Sequence, residues 1–273
     1  MQSTKLSPHN IGLVSVILPT YNEAGNIISL IETIHRNISH VSLLHEIIVV
    51  DDNSPDGTSQ LVQELIDSGR IPRVRLETRM HDRGLTKSIW RGIELVEGDT
   101  VVWLDCDFSM PPEKIPVLLS KIKEGYDIAV GSRFVPGGRI KHGVGTEESR
   151  LTVFLSVLLN AVLRLTLCWR FTDFTSGFIA IRRDVFKDIR LKGDYGEYFI
   201  DLIERAILLK YSFVEIPYVC EPRREGKSKT APTLKDLFSR GVKYLWTMAR
   251  LQGVRVKYLL GMKIVDEDGL TNR

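Results

Sequence analysis

A chain of 273 residues, 43% apolar and 26% charged, is long enough to bury a full hydrophobic core, as one large domain or one domain with an appendage. Its net charge of +3 is too mild for bulk attraction to nucleic acid, which is therefore not expected as a partner. The three cysteines, Cys106, Cys168 and Cys220, are isolated and the six histidines show no ligand spacing, so a disulfide framework is not expected and reduced thiols in a cytosolic setting are.

Residues 1–10 are polar, lack the pattern of a signal peptide and read as a flexible N-terminus. Leu13 to Leu18 is an apolar run that enters Pro19-Thr20-Tyr21-Asn22-Glu23, and a helix is expected over about 25–38. A second apolar run, Glu46 to Val50, ends in Asp51-Asp52-Asn53-Ser54-Pro55-Asp56-Gly57-Thr58. Pro-Asp-Gly is turn chemistry, and Thr58 or Ser54 is placed to cap a helix over 59–66. Val74 to Thr78 forms a third strand, and a helix running to Val96 follows Gly84.

Thr100 to Leu104 is too uniformly apolar for a half-exposed strand and reads as a central parallel strand ending at Asp105. Asp105 and Asp107, one residue apart, emerge from it. Ligands of open α/β sheets sit at that end, and two crowded carboxylates repel unless a cation lies between them. A hard divalent ion with oxygen ligands suits a phosphate-bearing substrate. The bland alternative is a helix N-cap before Pro111-Pro112-Glu113. Polar residues at the ends of three successive strands point instead to one shared cleft.

Asp127 to Val130 makes a further strand, ending in Gly131-Ser132-Arg133-Phe134. The loop from Val135 to Glu148 is rich in glycine and charge, and its length suggests a functional role. Beyond it the alternation of strand and helix weakens. Leu151 to Leu163 is apolar but shorter than the roughly 20 residues that cross a bilayer. From Leu234 to Leu260 the apolar residues Leu237, Phe238, Val242, Leu245, Trp246 and Ala249 follow helical spacing among basic ones. Such a stripe fits either core packing or a membrane surface. The chain thus divides into an N-terminus (1–10), a catalytic domain (11–233) and an amphipathic helix with tail (234–273), with no transmembrane domain expected.

Taken together, Leu-Pro-Thr-Tyr-Asn-Glu at 18–23, Val-Asp-Asp-Asn-Ser-Pro-Asp-Gly-Thr at 50–58, Asp-Cys-Asp at 105–107, Gly-Ser-Arg-Phe at 131–134, Ser-Gly-Phe at 176–178 and the stretch Arg223 to Lys229 resemble the family 2 glycosyltransferases of GT-A fold. Within that family the chain is most similar to the dolichyl-phosphate mannose synthases, a group of polyprenyl-phosphate glycosyltransferases. The resemblance implies an α/β, Rossmann-like, mainly parallel sheet flanked by helices, with C-terminal amphipathic interface helices. It places Pro19, Tyr21, Glu23, Asp52, Asp105, Arg223 and Lys229 around a nucleotide sugar, GDP-mannose first and UDP-glucose or UDP-N-acetylglucosamine next. Asp105 and Asp107 would hold Mg²⁺ or Mn²⁺. Ser109 stands where similar enzymes carry Gln, and a water is expected to complete the metal's ligands here. Arg133, Arg150 and Ser228 would meet the acceptor phosphate, and Asp173 would position the metal or that phosphate.

The implied reaction is one in-line displacement by a dolichyl or polyprenyl phosphate, with inversion. Relatives that act on sugar hydroxyls carry a Glu-Asp base pair near Tyr195-Gly196-Glu197-Tyr198, and this chain lacks it. An ionised phosphate needs no strong base. Attachment to the cytoplasmic membrane face is expected, with a membrane protein partner or a homo-oligomer as further partners. Two alternatives remain: a soluble transferase acting on a saccharide or protein hydroxyl, and a silent membrane-bound assembly protein. A dehydrogenase is disfavoured because no Gly-x-Gly-x-x-Gly follows the first strand.

Overall fold

The computed structural model describes residues 7–141, 150–225 and 234–262. Ser228, Lys229, most of the tail and the 142–149 part of the glycine-rich loop lie outside the described residues. In chain order the elements are β1 (Leu13–Thr20), α1 (Ile27–His40), β2 (Leu44–Asp51), α2 (Thr58–Asp67), β3 (Val74–Thr78), α3 (Leu85–Leu95), β4 (Thr100–Trp103) and α4 (Ile115–Lys123). There follow β5 (Ile128–Ser132), β6 (Arg139–Ile140), α5 (Arg150–Thr166), β7 (Ile179–Arg182), α6 (Glu197–Leu208), β8 (Phe213–Pro217), β9 (Val219–Cys220) and α7 (Leu234–Leu259).

Seven strands form one sheet in the order β3-β2-β1-β4-β7-β5-β8, and β6 pairs with β9 beside it. All pairings in the large sheet are parallel except those of β7, which runs antiparallel to both β4 and β5. The apolar runs are continuous because the sheet is covered on both faces. Val16, Leu18, Ile47, Val49 and Val102 pack with α1 and α4, whereas Ile17, Ile48, Val50, Val101 and Trp103 pack with α3 and α6.

Pro19 sits in a central strand without losing a ladder bond. Thr20 accepts the Asp52 amide on the β2 side, so Pro19 turns its backbone toward β4. That pairing has already ended at Ile17 and Trp103, and the Pro19 carbonyl accepts the Cys106 thiol at 3.4 Å. A missing N–H costs nothing there.

Turn chemistry differs from the expected caps. Helix α2 starts at Thr58 after Gly57, whose φ of 91° suits glycine. Asp56 is the capping side chain, accepting the Thr58 amide at 3.1 Å and its hydroxyl at 2.6 Å. The Thr58 hydroxyl in turn accepts the Glu23 amide at 3.0 Å, so the cap of one helix carries the loop after β1.

The α6–α7 contact is built on charge. Arg250 of α7 donates to the fully buried Asp201 at 2.6 Å, and Arg205 approaches the same carboxylate at 2.8 Å. Glu204, also buried, faces Arg255 at 3.8 Å, and its oxygens accept no hydrogen bond among the described residues. Burial pushes the Glu204 carboxyl up to about 7, against the pull of Arg255. The folded state thus keeps a proton that the unfolded chain releases near 4.5. Its contribution to stability is complete at low pH and is lost as pH rises through 7. Glu204→Gln should therefore flatten the stability profile and exceed the wild type by about 2–3 kcal/mol near pH 8. Urea unfolding across pH checks this, and an unchanged slope would refute it.

Candidate active site

Three loops leave the same edge of the sheet, after β1, β2 and β4, and each delivers acids. The pair after β2 is split by the strand's alternation. Asp51 is fully buried and closes its own turn, accepting the Ser54 amide at 2.9 Å and the Ser59 hydroxyl at 2.7 Å. Asp52 turns to the opposite face and is held by Arg79 at 2.7 Å, the Ser88 hydroxyl at 2.7 Å and the Gly84 amide at 2.8 Å. Its lone pairs are largely used by α3 and the loop before it. Arg79, Ser88 and Gly84 carried no sequence signal beyond a glycine at a helix start. Tyr21 lies beside them, with the Arg83 guanidinium 5.1 Å over its ring.

The Asp105–Ser109 turn departs from a helix cap. A short 3₁₀ turn at Pro112–Lys114 precedes α4, without a side-chain cap. Asp107 instead accepts the Ser109 amide at 2.9 Å. The turn is stitched to the segment after β9, where Glu221 and Arg224 amides donate to the Ser109 and Asp107 carbonyls, each at 3.1 Å. Arg224 covers Phe108 at 3.8 Å. That stitching presents Arg223, which bridges Glu23 at 2.9 Å and Asp107 at 2.8 Å. One cation thus joins two acids, the farther of them 200 positions away in sequence.

Asp105 opens to solvent through the cleft, yet protein surrounds its carboxyl. Loss of bulk water, followed by the charges of Asp107 and Glu23, pushes it up to about 7, against Arg223 and Arg133. Asp105 is short of positive charge. Among the described residues no three His, Cys, Asp or Glu side chains cluster as a metal site; the candidate ligand oxygens are those of Asp105 and Asp107. An all-oxygen, open site of that kind fits Mg²⁺ or Mn²⁺ whose other ligands come from a diphosphate and water.

The second half of the site comes from the reversed strand. Because β7 runs antiparallel, the segment Asp173–Phe178 before it reaches the edge where β4 and β5 end. Asp173 is fully buried and grips Arg133 with both oxygens, Nε–Oδ2 at 2.9 Å and Nη2–Oδ1 at 2.7 Å. It also accepts the Arg133 amide at 2.9 Å. Although burial opposes the charge, Asp173 holds the Arg133 guanidinium well above its ordinary value. Asp173 therefore reaches a metal or phosphate only through Arg133. Glu215 of β8 sets this corner, accepting the Thr172 and Asp173 amides at 2.8 and 3.0 Å. Arg150 begins α5, but its side chain is outside the described residues.

A mainly parallel sheet with acids at three strand ends and a conjoined arginine loop is the GT-A architecture of glycosyltransferases. The model of glycosyl transferase family 2 matches residues 15–190, and the chain belongs to that family. It is 38% identical over 217 residues to a dolichol-phosphate mannosyltransferase of Pyrococcus furiosus, covering 79% of this chain and 58% of that protein. It is 36% identical over 220 residues to a polyprenol monophosphomannose synthase of Mycolicibacterium smegmatis, covering 78% and 79% of the two chains. The chain thus spans little more than half of the first relative and about four fifths of the second. Among solved structures, a glucosyl-3-phosphoglycerate synthase of Mycobacterium tuberculosis bound to Mn²⁺, UDP and glucosyl-3-phosphoglycerate superposes with a TM-score of 0.63 at 21% identity, over 89% of this chain and 80% of that one. A mannosyl-3-phosphoglycerate synthase of Rubrobacter xylanophilus gives 0.65 at 19%, over 94% and 82%. These two likenesses concern the fold.

The Arg79–Asp52 pair is buried on both sides, at 11% and 9% side-chain exposure. Arg79→Ala should destabilise the fold by about 3 kcal/mol, because it strands a carboxylate. Adding Asp52→Asn should recover part of the loss, and additive effects in thermal unfolding would count against the pairing.

Proposed function

We propose that the chain is an inverting glycosyltransferase that moves a hexose, mannose from GDP-mannose, onto a dolichyl or polyprenyl phosphate. The observation that carries this reading is the pairing of two cationic devices across Asp105. Arg223 is poised over Glu23 and Asp107 on the donor side, and Arg133 is locked by Asp173 on the other. A reaction that brings two anions together needs such fixed positive charge. The relatives named above lend support, since both are named as enzymes that transfer mannose to dolichol or polyprenol phosphate.

A divalent ion, Mg²⁺ or Mn²⁺, when bound, would neutralise the diphosphate leaving group. The chain's own residues do the rest. Asp105 and Asp107 would hold the ion, Tyr21 and Asp52 would line the nucleoside side, and Arg223 would exchange its carboxylate partners for phosphate oxygens. Arg133 orients the attacking phosphate. Glu197, the acid nearest the place of the missing base pair, accepts the Asp194 amide at 3.0 Å and is buried. It is spent on the start of α6, in keeping with an acceptor that arrives ionised.

The acceptor's lipid tail calls for an apolar surface. On α5, Phe154, Val157 and Leu158 are exposed, with Leu165 and Trp169 near its end. On α7 the stripe Val242, Leu245 and Trp246 faces outward, while Thr247, Met248 and Leu251 face the protein. The stripe is therefore free for a lipid surface, and no helix among the described residues is long and apolar enough to cross one. Lys243 and Arg250 are engaged with Asp194 and Asp201, so apolar contact outweighs charge in this attachment. We place it on the cytoplasmic face, where the nucleotide sugar is.

Two outcomes test the proposal. Excess chelator should abolish mannose transfer, and Asp107→Ala should lower it by about 10²–10³-fold; turnover that survives chelation removes the metal. Phe154→Glu with Leu158→Glu should release the protein from lipid vesicles and slow transfer to long-chain acceptors while a short soluble prenyl phosphate is still used. Equal loss with both acceptors would return the helix to a packing role.

A further inference from the structure

Helix α5 turns one face outward, yet on its other face it carries a buried amide, Asn160, only 3% exposed. An amide is a costly choice for a helix interior packed against protein unless its hydrogen bonds are met. Asn160 meets them in a particular way. Its Nδ2 donates to the Ser156 carbonyl at 2.9 Å and to the Thr175 hydroxyl at 2.9 Å, and its Oδ1 accepts the Phe174 amide at 2.8 Å. Apart from its own helix, its hydrogen bonds among the described residues go to the segment that carries Asp173.

Thr175 passes this placement on. Its oxygen accepts Arg133 Nη2 at 2.8 Å as well as Asn160, which leaves its own proton for Asp173 Oδ1 at 3.4 Å. Both protons of Nη2 are then used, one on Asp173 and one on Thr175, and Nε is bound to Asp173. Nη1 makes no hydrogen bond to protein among the described residues. The guanidinium is consequently fixed in plane and direction with one amino group left for a ligand.

We propose that Asn160 is a positioning residue for the acceptor: by holding Thr175 it fixes the orientation of Arg133, and with it the geometry of phosphate binding. This rests on the reading that Arg133 faces the acceptor phosphate. The same amide ties the surface helix to the site, so one contact links α5 to the aim of Arg133. Preorganised donors of this kind act on binding and orientation and not on the nucleotide pocket.

The test is steady-state kinetics of the full chain with GDP-mannose and polyprenyl phosphate, together with calorimetric titration of GDP. Asn160→Ala and Thr175→Val should each raise the acceptor KM about tenfold. GDP affinity should stay within about twofold of the wild type. The double variant should be no worse than the weaker single one, since both cut the same chain, and Thr175→Ser should restore the wild-type acceptor KM. Losses that multiply in the double variant, or that fall equally on GDP and acceptor, overturn the proposal. If Arg133→Ala raises the acceptor KM while Asn160→Ala does not, the inference alone fails. If Arg133→Ala leaves it unchanged, the acceptor-side reading falls and takes the inference with it. Should Asn160→Ala not fold, Asn160→Asp keeps the volume and the acceptor for Phe174 while removing the donor to Thr175, and the same expectation applies.

Discussion

Glu23 and Asp107 stand close enough to Asp105 to disfavour its charge. The resulting repulsion is the constraint around which the site is arranged. Arg223 relieves it on one side by bridging Glu23 and Asp107, and Arg133 pulls on Asp105 from the other. Neither arginine is near these acids in sequence. Each is delivered by a loop whose backbone is bound to the acid-bearing turn or to the strand beside it, so the fold's cost in gathering anions is offset by the same segments that close it.

The antiparallel strand β7 makes the second arginine possible. Had it run parallel to β4 and β5, the segment before it would open at the far edge of the sheet, and Asp173 would lie a strand's length from Arg133. Its reversal brings Asp173 and Thr175 to the strand ends, and Glu215 of β8 secures them through the Thr172 and Asp173 amides. A buried carboxylate with a bidentate guanidinium is a stiff pair, suited to meeting a second anion without first reorganising.

The outer helices combine two roles that composition alone cannot separate. Helix α7 is fastened by charge on its inner side, where Arg250 and Arg255 meet the buried Asp201 and Glu204, while Val242, Leu245 and Trp246 stay exposed on its outer side. Helix α5 is held by the buried Leu163, by Thr166 against α7 and by the Asn160 amide. Both present exposed aromatic and aliphatic side chains, Phe154 and Trp246 among them, of a kind that marks an interaction surface when grouped.

Periodicity and turn residues were enough to place strands β1 to β5 and helices α1 to α3 within a few residues, because those strands are mostly buried and their runs are uninterrupted. The strand-end acids and the family were legible for the same reason: short motifs sit at fixed distances from such runs. What the sequence could not supply was partnership. Whether Asp51 or Asp52 closes the turn after β2 depends on the strand's alternation against its neighbours, and that Asp56 caps α2 depends on a glycine's positive φ. The pairings of Arg223 with Glu23, Arg133 with Asp173 and Asn160 with Thr175 join segments between 15 and 200 positions apart. Local pattern carries no record of such distances; sheet order and the direction of β7 decide them, because hydrogen bonds and ion pairs form only between groups that the packed chain has already brought within about 3 Å.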